Sequence, residues 1–172
     1  GLAQLGVKIA ALDLRLEEAE KTARDVKESG TDSLAVAVDV LNQESVRNAY
    51  KAVVKKFGRV DILINGAGGN HPRALTNKEE GVYFHNLSPE GIKFVFDLNI
   101  LGTVLPSLVF VEKMIEQKEG VIINTSSMSA DTPLSRTVAY SAAKAAVSNF
   151  TKWLAADLAM NHSPLIRVNE IR

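Results

Sequence analysis

Val60-Asp61-Ile62-Leu63-Ile64 runs directly into Asn65-Gly66-Ala67-Gly68. A short apolar run rich in branched residues and closed by a glycine turn reads as a buried parallel strand ending in a small-residue loop. Small residues there let a backbone approach a flat ring or a ribose closely. The same pattern recurs on both sides. Val7 to Leu12 reads as a strand closed by Asp13, and Leu16 to Glu28 as a charged helix ended by Ser29-Gly30. Leu34 to Val38 is a second strand, closed by Asp39, and Glu44 to Phe57 an amphipathic helix stopped by Gly58. Beyond the glycine loop, residues 69–90 read as an irregular excursion rich in Asn, His, Pro and Gly. Gly91 to Lys118 is helical, with Pro106 expected to kink or break it. Val121 to Asn124 is a fourth strand, Ser129 to Arg136 a loop, Val138 to Met160 a long Ala-rich helix, and Arg167 to Ile171 the start of a fifth strand. Strands separated by helices imply parallel β-α-β units. The expected fold is therefore α/β, a single Rossmann-like domain with a doubly wound parallel sheet over residues 1–172.

The first residues, Leu2-Ala3-Gln4-Leu5-Gly6, read as the end of a helix that leads straight into a strand. A β-α-β unit needs roughly 30 residues. A first strand and its glycine-rich turn are therefore expected to precede Gly1, and a lid and last strand to follow Arg172. In a sheet of order 3-2-1-4-5 the first strand lies at the centre, between those starting near Val7 and Val60. Without it, two inner strand edges would stand unpaired.

The 20 basic and 20 acidic residues cancel, so neither nucleic acid nor an anionic membrane surface is implied as a partner. Cysteine is absent, which excludes disulfides and thiolate metal sites and fits a reducing compartment, so the cytoplasm is expected. His71, His85 and His162 lack ligand spacing, and no metal is expected. No apolar run reaches about 18 residues, and no transmembrane helix is expected. N-x-S/T matches at Asn86, Asn124 and Asn161 are read as chance.

Tyr140-Ser141-Ala142-Ala143-Lys144 carries the chemistry. Residues four apart on a helix share a face, so the phenol and the ammonium sit one turn apart. A free phenol titrates near pH 10 and is a poor base at neutrality. A cation beside it favours the phenolate and makes proton transfer feasible. Such a pair alone is most often a surface tyrosine beside a solvated lysine. Here Ser127 precedes the tyrosine by thirteen residues, just past Val121-Ile122-Ile123, and the glycine turn lies further upstream.

These elements, in this order, resemble the short-chain dehydrogenase/reductase family, whose members move hydride between a nicotinamide and a carbonyl or alcohol. The resemblance implies Ser127, Tyr140, Lys144 and Asn99 as catalytic residues, with Ser127 hydrogen-bonded to the substrate oxygen. The family spacing selects Ser127 over its neighbour Ser126, which reads as a capping residue. Asn99, in Phe96-Asp97-Leu98-Asn99-Ile100, would interrupt its helix and hold a water that links Lys144 to solvent. NAD is the implied cofactor. Asn65, Gly66, Ala67, Gly68 and Asp39 would line its adenine side, and Tyr140 and Lys144 its nicotinamide ribose. Asp13 would accept from ribose hydroxyls and repel a 2′-phosphate, favouring NAD over NADP, although Arg15 nearby tempers that preference.

Gly68-Gly69-Asn70-His71-Pro72-Arg73, the stretch from Leu98 to Pro106 and Ser127-Met128-Ser129-Ala130 look like the branch of D-mannonate oxidoreductases, also called fructuronate reductases. That implies a hexuronate, D-fructuronate or D-mannonate, as substrate. A sugar acid needs a cation for its carboxylate, and arginine offers a planar fork. Arg73 and Arg136 are the candidates, with Asn70 and His71 for hydroxyls and Ser127 for the reacting oxygen. The alternatives are reduction of a keto-gluconate or a 3-oxoacyl thioester, or a non-catalytic Rossmann-fold binding fragment. The Ala-rich helix from Val138 and the helix containing Asn99 are expected to pair between subunits in a homo-oligomer, a dimer or tetramer.

Overall fold

The computed structural model describes residues 1–172, which form two compact units, Gly1–Val60 and Asp61–Arg172.

In the first unit, β1 (Ile9–Asp13) and β2 (Ser33–Ala37) pair in parallel, from Ile9 opposite Ser33 to Asp13 opposite Ala37. A 3-10 turn over Leu2–Leu5 ends at Gly6 in the left-handed conformation, φ 81°. Val7 N–H then bonds back to the Leu2 carbonyl, so the strand starts two residues later than its apolar run. The connecting helix α1 (Leu16–Glu28) buries Ala19 and Ala23, four apart, and turns its charges outward. Ser33 Oγ donates to the Ala23 carbonyl at 2.7 Å and ties β2 to α1. Helix α2 (Gln43–Phe57) is capped by Asn42, whose Oδ1 accepts from the N–H groups of Glu44 and Ser45. It buries Val46, Ala49 and Val53 and ends at Gly58.

In the second unit, β3 (Ile62–Asn65), β4 (Gly120–Thr125) and β5 (Ile166–Ile171) are all parallel, in the order β3-β4-β5. Helices α3 (Pro89–Phe96), α4 (Gly102–Gln117) and α5 (Val138–Asn161) flank them. Ile122, Met114, Val109, Val147 and Ile166 are fully buried at the centre. Burying a side chain of this size stabilises by about 1.5–3 kcal/mol. Strands β1 and β3 are each bonded along one edge only. Ile64 on β3 is 51% exposed.

Three details differ from the sequence reading. The α-helical register continues through Pro106, and the departure from α geometry is a π turn at Asp97–Leu101. Pro106 falls in the second turn of α4, where it removes a single backbone donor, and the π turn just ahead resets the helix. The excursion at 69–90 contains local order: 3-10 turns at Pro72–Ala74 and Phe84–Asn86, and a bridge between Asn77 and Val82. The continuous helical stretch Pro89–Gln117 is long and apolar enough to pass for a membrane span, contrary to the reading of the apolar runs. Asp97 and Asn99 interrupt the runs, but the branched and aromatic residues on both sides keep the average apolar. Its α4 portion packs on β3 and β4, the setting of a core helix.

Candidate functional site

Helix α5 begins at Val138, which places Tyr140 in its first turn and Lys144 in its second. Ala139 and Ala143 face inward, and the Tyr140 ring rests on a cluster of Ala74, Val95 and Ala139 with Ile92 and Phe96. Lys144 Nζ lies 5.5 Å from the centre of the Tyr140 ring. Its ammonium donates to the Thr125 carbonyl at 2.6 Å. Lys144 is buried, and that burial holds its pKa below the ordinary lysine range. Between the lowered value and the ordinary 10.5, the unfolded chain binds more protons than the folded one. Stability therefore rises as pH climbs through that window. Lys144→Met should abolish the rise, read as urea midpoints at about pH 8 and about pH 10, both below the ordinary lysine value.

The end of β4 is joined to α5 at two successive residues. Thr125 accepts from the Lys144 side chain, and Ser126 Oγ reaches the Lys144 carbonyl at 3.3 Å and Ser148 Oγ at 2.7 Å. Ser126 is consequently buried in a structural role, and the next residue, Ser127, emerges half-buried with extended backbone, φ −167° and ψ 154°. Geometry thus separates two serines that are chemically equivalent in the sequence. Ser127 Oγ accepts from Ser129 N–H at 3.2 Å and from Ser129 Oγ at 3.0 Å.

Asn99 is fully buried in the π turn. Its Nδ2 donates to the carbonyls of Gly69, at 2.7 Å, and Val95, at 2.8 Å, while its Oδ1 accepts from Gly69 N–H at 3.2 Å. The side chain is a two-way clamp between the helix and the glycine loop 30 residues upstream. Its main-chain carbonyl accepts from Thr103 Oγ1 at 2.9 Å. A Cβ on Gly68 would lie 2.8 Å from Asn99 Oδ1 and 3.2 Å from Lys144 Nζ. Gly68→Ala should push both groups aside and cut turnover about 100-fold, the usual scale for a misplacement near 1 Å. Wild-type kinetics for this variant would refute the close approach.

Asn65 differs from the other residues of its loop. Its side chain is buried, and Nδ2 donates to Ser107 Oγ and Asn124 Oδ1, both at 2.9 Å. Asn124 Nδ2 donates to Thr151 Oγ1 at 2.9 Å. The amide of Asn65 thus holds the strand ends together, and the open side of the turn is formed by Gly66, Ala67 and Gly68. Asn124 is fully buried, so its N-x-S pattern has no access to a modifying enzyme. Ser107, Asn124 and Thr151 were missed in the sequence. Their signal was polar residues, such as Thr103 and Ser107, spaced four apart on the buried face of an apolar helix.

In the first unit, Asp13 ends β1 and Asp39 follows β2. Asp13 Oδ1 accepts from Arg15 N–H at 2.9 Å, and Asp39 Oδ1 from Leu41 N–H at 2.9 Å. The Arg15 guanidinium is exposed and turned toward Glu18, 3.7 Å away.

Among the sugar-acid candidates, Asn70 Oδ1 accepts from His71 N–H, and His71 Nδ1 accepts from Arg73 N–H at 3.2 Å. An accepting Nδ1 places the imidazole proton on Nε2. The His71 ring meets Phe94 edge to face at 5.2 Å. Arg73 is exposed, with its carbonyl bonded by Ser88 N–H. Arg136 has left-handed backbone, φ 70°, held by a reciprocal pair with Thr76. Its Nε donates to the Thr76 carbonyl at 2.8 Å, and Thr76 N–H returns a bond to the Arg136 carbonyl at 3.1 Å. Part of the Arg136 fork is therefore spent on joining two loops. A groove of about 380 Å³ runs beside it, lined by Phe84, Leu134, Val138, Ala142 and Ala145 on a different face of α5 from Tyr140 and Lys144.

The short chain dehydrogenase family model matches residues 1–172. An uncharacterised oxidoreductase of Haemophilus influenzae is 45% identical over 162 residues, 90% of this chain and 57% of the relative. A crystal structure from Haemophilus influenzae of a candidate D-mannonate oxidoreductase with bound NAD superposes with a TM-score of 0.91 at 43% identity, covering 98% of this chain and 62% of that one. A 3-oxoacyl-[acyl-carrier-protein] reductase of Bos taurus is 31% identical over 170 residues, 99% of this chain and 65% of the relative. The chain thus spans about three fifths of the length of these relatives. With the family model matched end to end, and with the tyrosine and lysine on one helical face beside the emergent serine, this protein belongs to the short-chain dehydrogenase family.

Proposed function

We propose that this chain is the catalytic part of an NAD(H)-dependent oxidoreductase acting on a sugar acid, with D-fructuronate and D-mannonate as the carbonyl and alcohol pair. The observation that carries the oxidoreductase reading is the buried Lys144 ammonium beside the Tyr140 ring, bonded to Thr125 two residues before Ser127. The residues suit NAD. Asp13 presents a carboxylate at the end of β1, where ribose hydroxyls would donate to it, and Arg15 is turned toward Glu18. When bound, the nicotinamide supplies the hydride acceptor or donor.

Ser127 donates a hydrogen bond to the substrate oxygen. Tyr140 takes the hydroxyl proton in oxidation and returns it in reduction. Lys144 stabilises the phenolate and binds the cofactor ribose. Asn99, clamped to Gly69, holds the glycine loop against the helix and serves the proton path from Lys144 to solvent. Gly66, Ala67 and Gly68 line the adenine side. Asn70, His71 and either Arg73 or Arg136 bind the sugar acid.

The test follows NADH oxidation by the full-length protein with D-fructuronate, a keto-gluconate and a 3-oxoacyl thioester. Turnover confined to the thioester would replace the sugar acid with the runner-up, which the Bos taurus relative supports. No turnover with any carbonyl and either nicotinamide would return the non-catalytic reading. Arg73→Met or Arg136→Met should weaken a hexuronate about 10-fold or more, the loss of a charged hydrogen bond, and spare an uncharged keto-sugar. Equal losses on both would remove the arginines from carboxylate binding. Part of any Arg136 loss reports its Thr76 clamp, and the uncharged sugar measures that part.

The proposed assembly is a homo-oligomer in the cytoplasm. It is supported by apolar side chains left in solvent on α4 and α5, Leu108, Trp153 and Met160 among them. Light scattering that finds a monomer would refute it.

A further inference from the structure

Ser127 has to be a hydrogen-bond donor for the chemistry proposed above, and a serine hydroxyl rotates freely unless something fixes it. In this structure something does. Ser127 Oγ accepts twice from the same residue, from Ser129 N–H at 3.2 Å and from Ser129 Oγ at 3.0 Å. A hydroxyl oxygen has two lone pairs, and both are taken, which leaves its proton as the one group still able to bond. Ser129 is itself 1% exposed, so solvent does not compete for its proton. The 3-10 turn Met128–Ala130 folds the chain back within two residues and makes this double contact possible.

We infer that Ser129 is a positioning residue for Ser127. It fixes the Ser127 hydroxyl as a pure donor aimed at the substrate oxygen and polarises that O–H as negative charge builds on the substrate. Hydrogen bonds in series strengthen one another in a site shielded from water. The inference rests on Ser127 acting on the substrate oxygen as proposed above. It adds a requirement at the second residue beyond the serine: a buried hydroxyl, which an alanine or valine of similar size does not meet.

A double-mutant cycle in the full-length protein tests this, with NADH and whichever carbonyl of the panel is turned over. Ser129→Ala should lower kcat about 3- to 10-fold, the worth of one hydrogen bond, with little change in KM for NADH. Ser129→Thr, which keeps the hydroxyl, should restore most of it. In a Ser127→Ala background, Ser129→Ala should have no further effect, because its action passes through Ser127. The same fold-loss in both backgrounds, or no loss at all, would overturn the inference. If Ser127→Ala itself keeps full turnover, the catalytic reading of Ser127 has failed first, and the two failures are thereby distinguished. A crystal structure of Ser129→Ala gives a readout independent of turnover. Ser127 Oγ should spread over more than one rotamer, and a single unchanged rotamer counts against the inference.

Discussion

Tyr140→Phe should lower turnover about 10²- to 10⁴-fold, the range lost with a positioned proton-transfer group, while NADH binding should change little. The phenyl ring keeps its packing on Ala74, Val95 and Ala139, so the fold has no reason to suffer. Lys144 also stays in place, because its fixed partner is the Thr125 carbonyl and not the phenol oxygen. The variant therefore separates chemistry from structure and from cofactor binding. The measurement is initial velocity with saturating carbonyl, beside a fluorescence titration with NADH. Retention of most activity would assign the proton transfer to another group. Loss of NADH binding in the same proportion as velocity would make the phenol a binding residue rather than an acid or base.

Asn124→Ala is expected to have the largest effect on stability. Asn124 is fully buried on β4 and bonds in two directions, accepting from Asn65 on β3 and donating to Thr151 on α5. Truncation leaves one Asn65 amide hydrogen without its acceptor and Thr151 without its donor, and it opens a small void. A buried polar group left unpaired costs about 1–3 kcal/mol. Two disturbed partners make a loss of about 2–4 kcal/mol, a large share of the roughly 5–15 kcal/mol that holds an ordinary domain. The shift in urea midpoint measures it. A loss below about 1 kcal/mol, the net value of one ordinary hydrogen bond, would show that water enters and replaces the partners. Thr151→Val tests the same network from its other end. It keeps the shape and removes the acceptor of the Asn124 bond together with the hydroxyl's own bond to the Val147 carbonyl, at 2.8 Å within the same helix, so its loss should be the smaller of the two.

Much of this was legible along the chain. Strands and helices alternate as their apolar periods suggest, and most boundaries fall within two residues of the sequence reading. Helix α1 spans Leu16–Glu28, as read. The small offsets have local causes, such as the Gly6 turn that delays β1 by two residues. The shared face of Tyr140 and Lys144 was legible for the same reason, since residues four apart on a helix lie together whatever surrounds them. Ser127 was a different case. Ser126 and Ser127 are identical neighbours, and the family spacing chose between them. The physical distinction is that Ser126 turns inward to Ser148 and the Lys144 carbonyl, which leaves Ser127 to emerge. Asn65 illustrates the limit: the resemblance implied it as a cofactor-binding residue, and the fold buries its side chain against Ser107 and Asn124.

The sequence by itself determined the α/β alternation and the shared face of Tyr140 and Lys144, because each depends on residues within a few positions of one another, and it determined the parallel sense of the strands, because each pair is joined through a helical crossover. Tertiary structure alone decided the rest. The Asn99 amide closes on Gly69 at a separation of 30 residues, Arg136 on Thr76 at 60, and Asn65 on Asn124 at 59. A hydrogen bond between such distant residues forms only once strand register and helix packing have brought its ends within about 3 Å, and no local pattern encodes that distance.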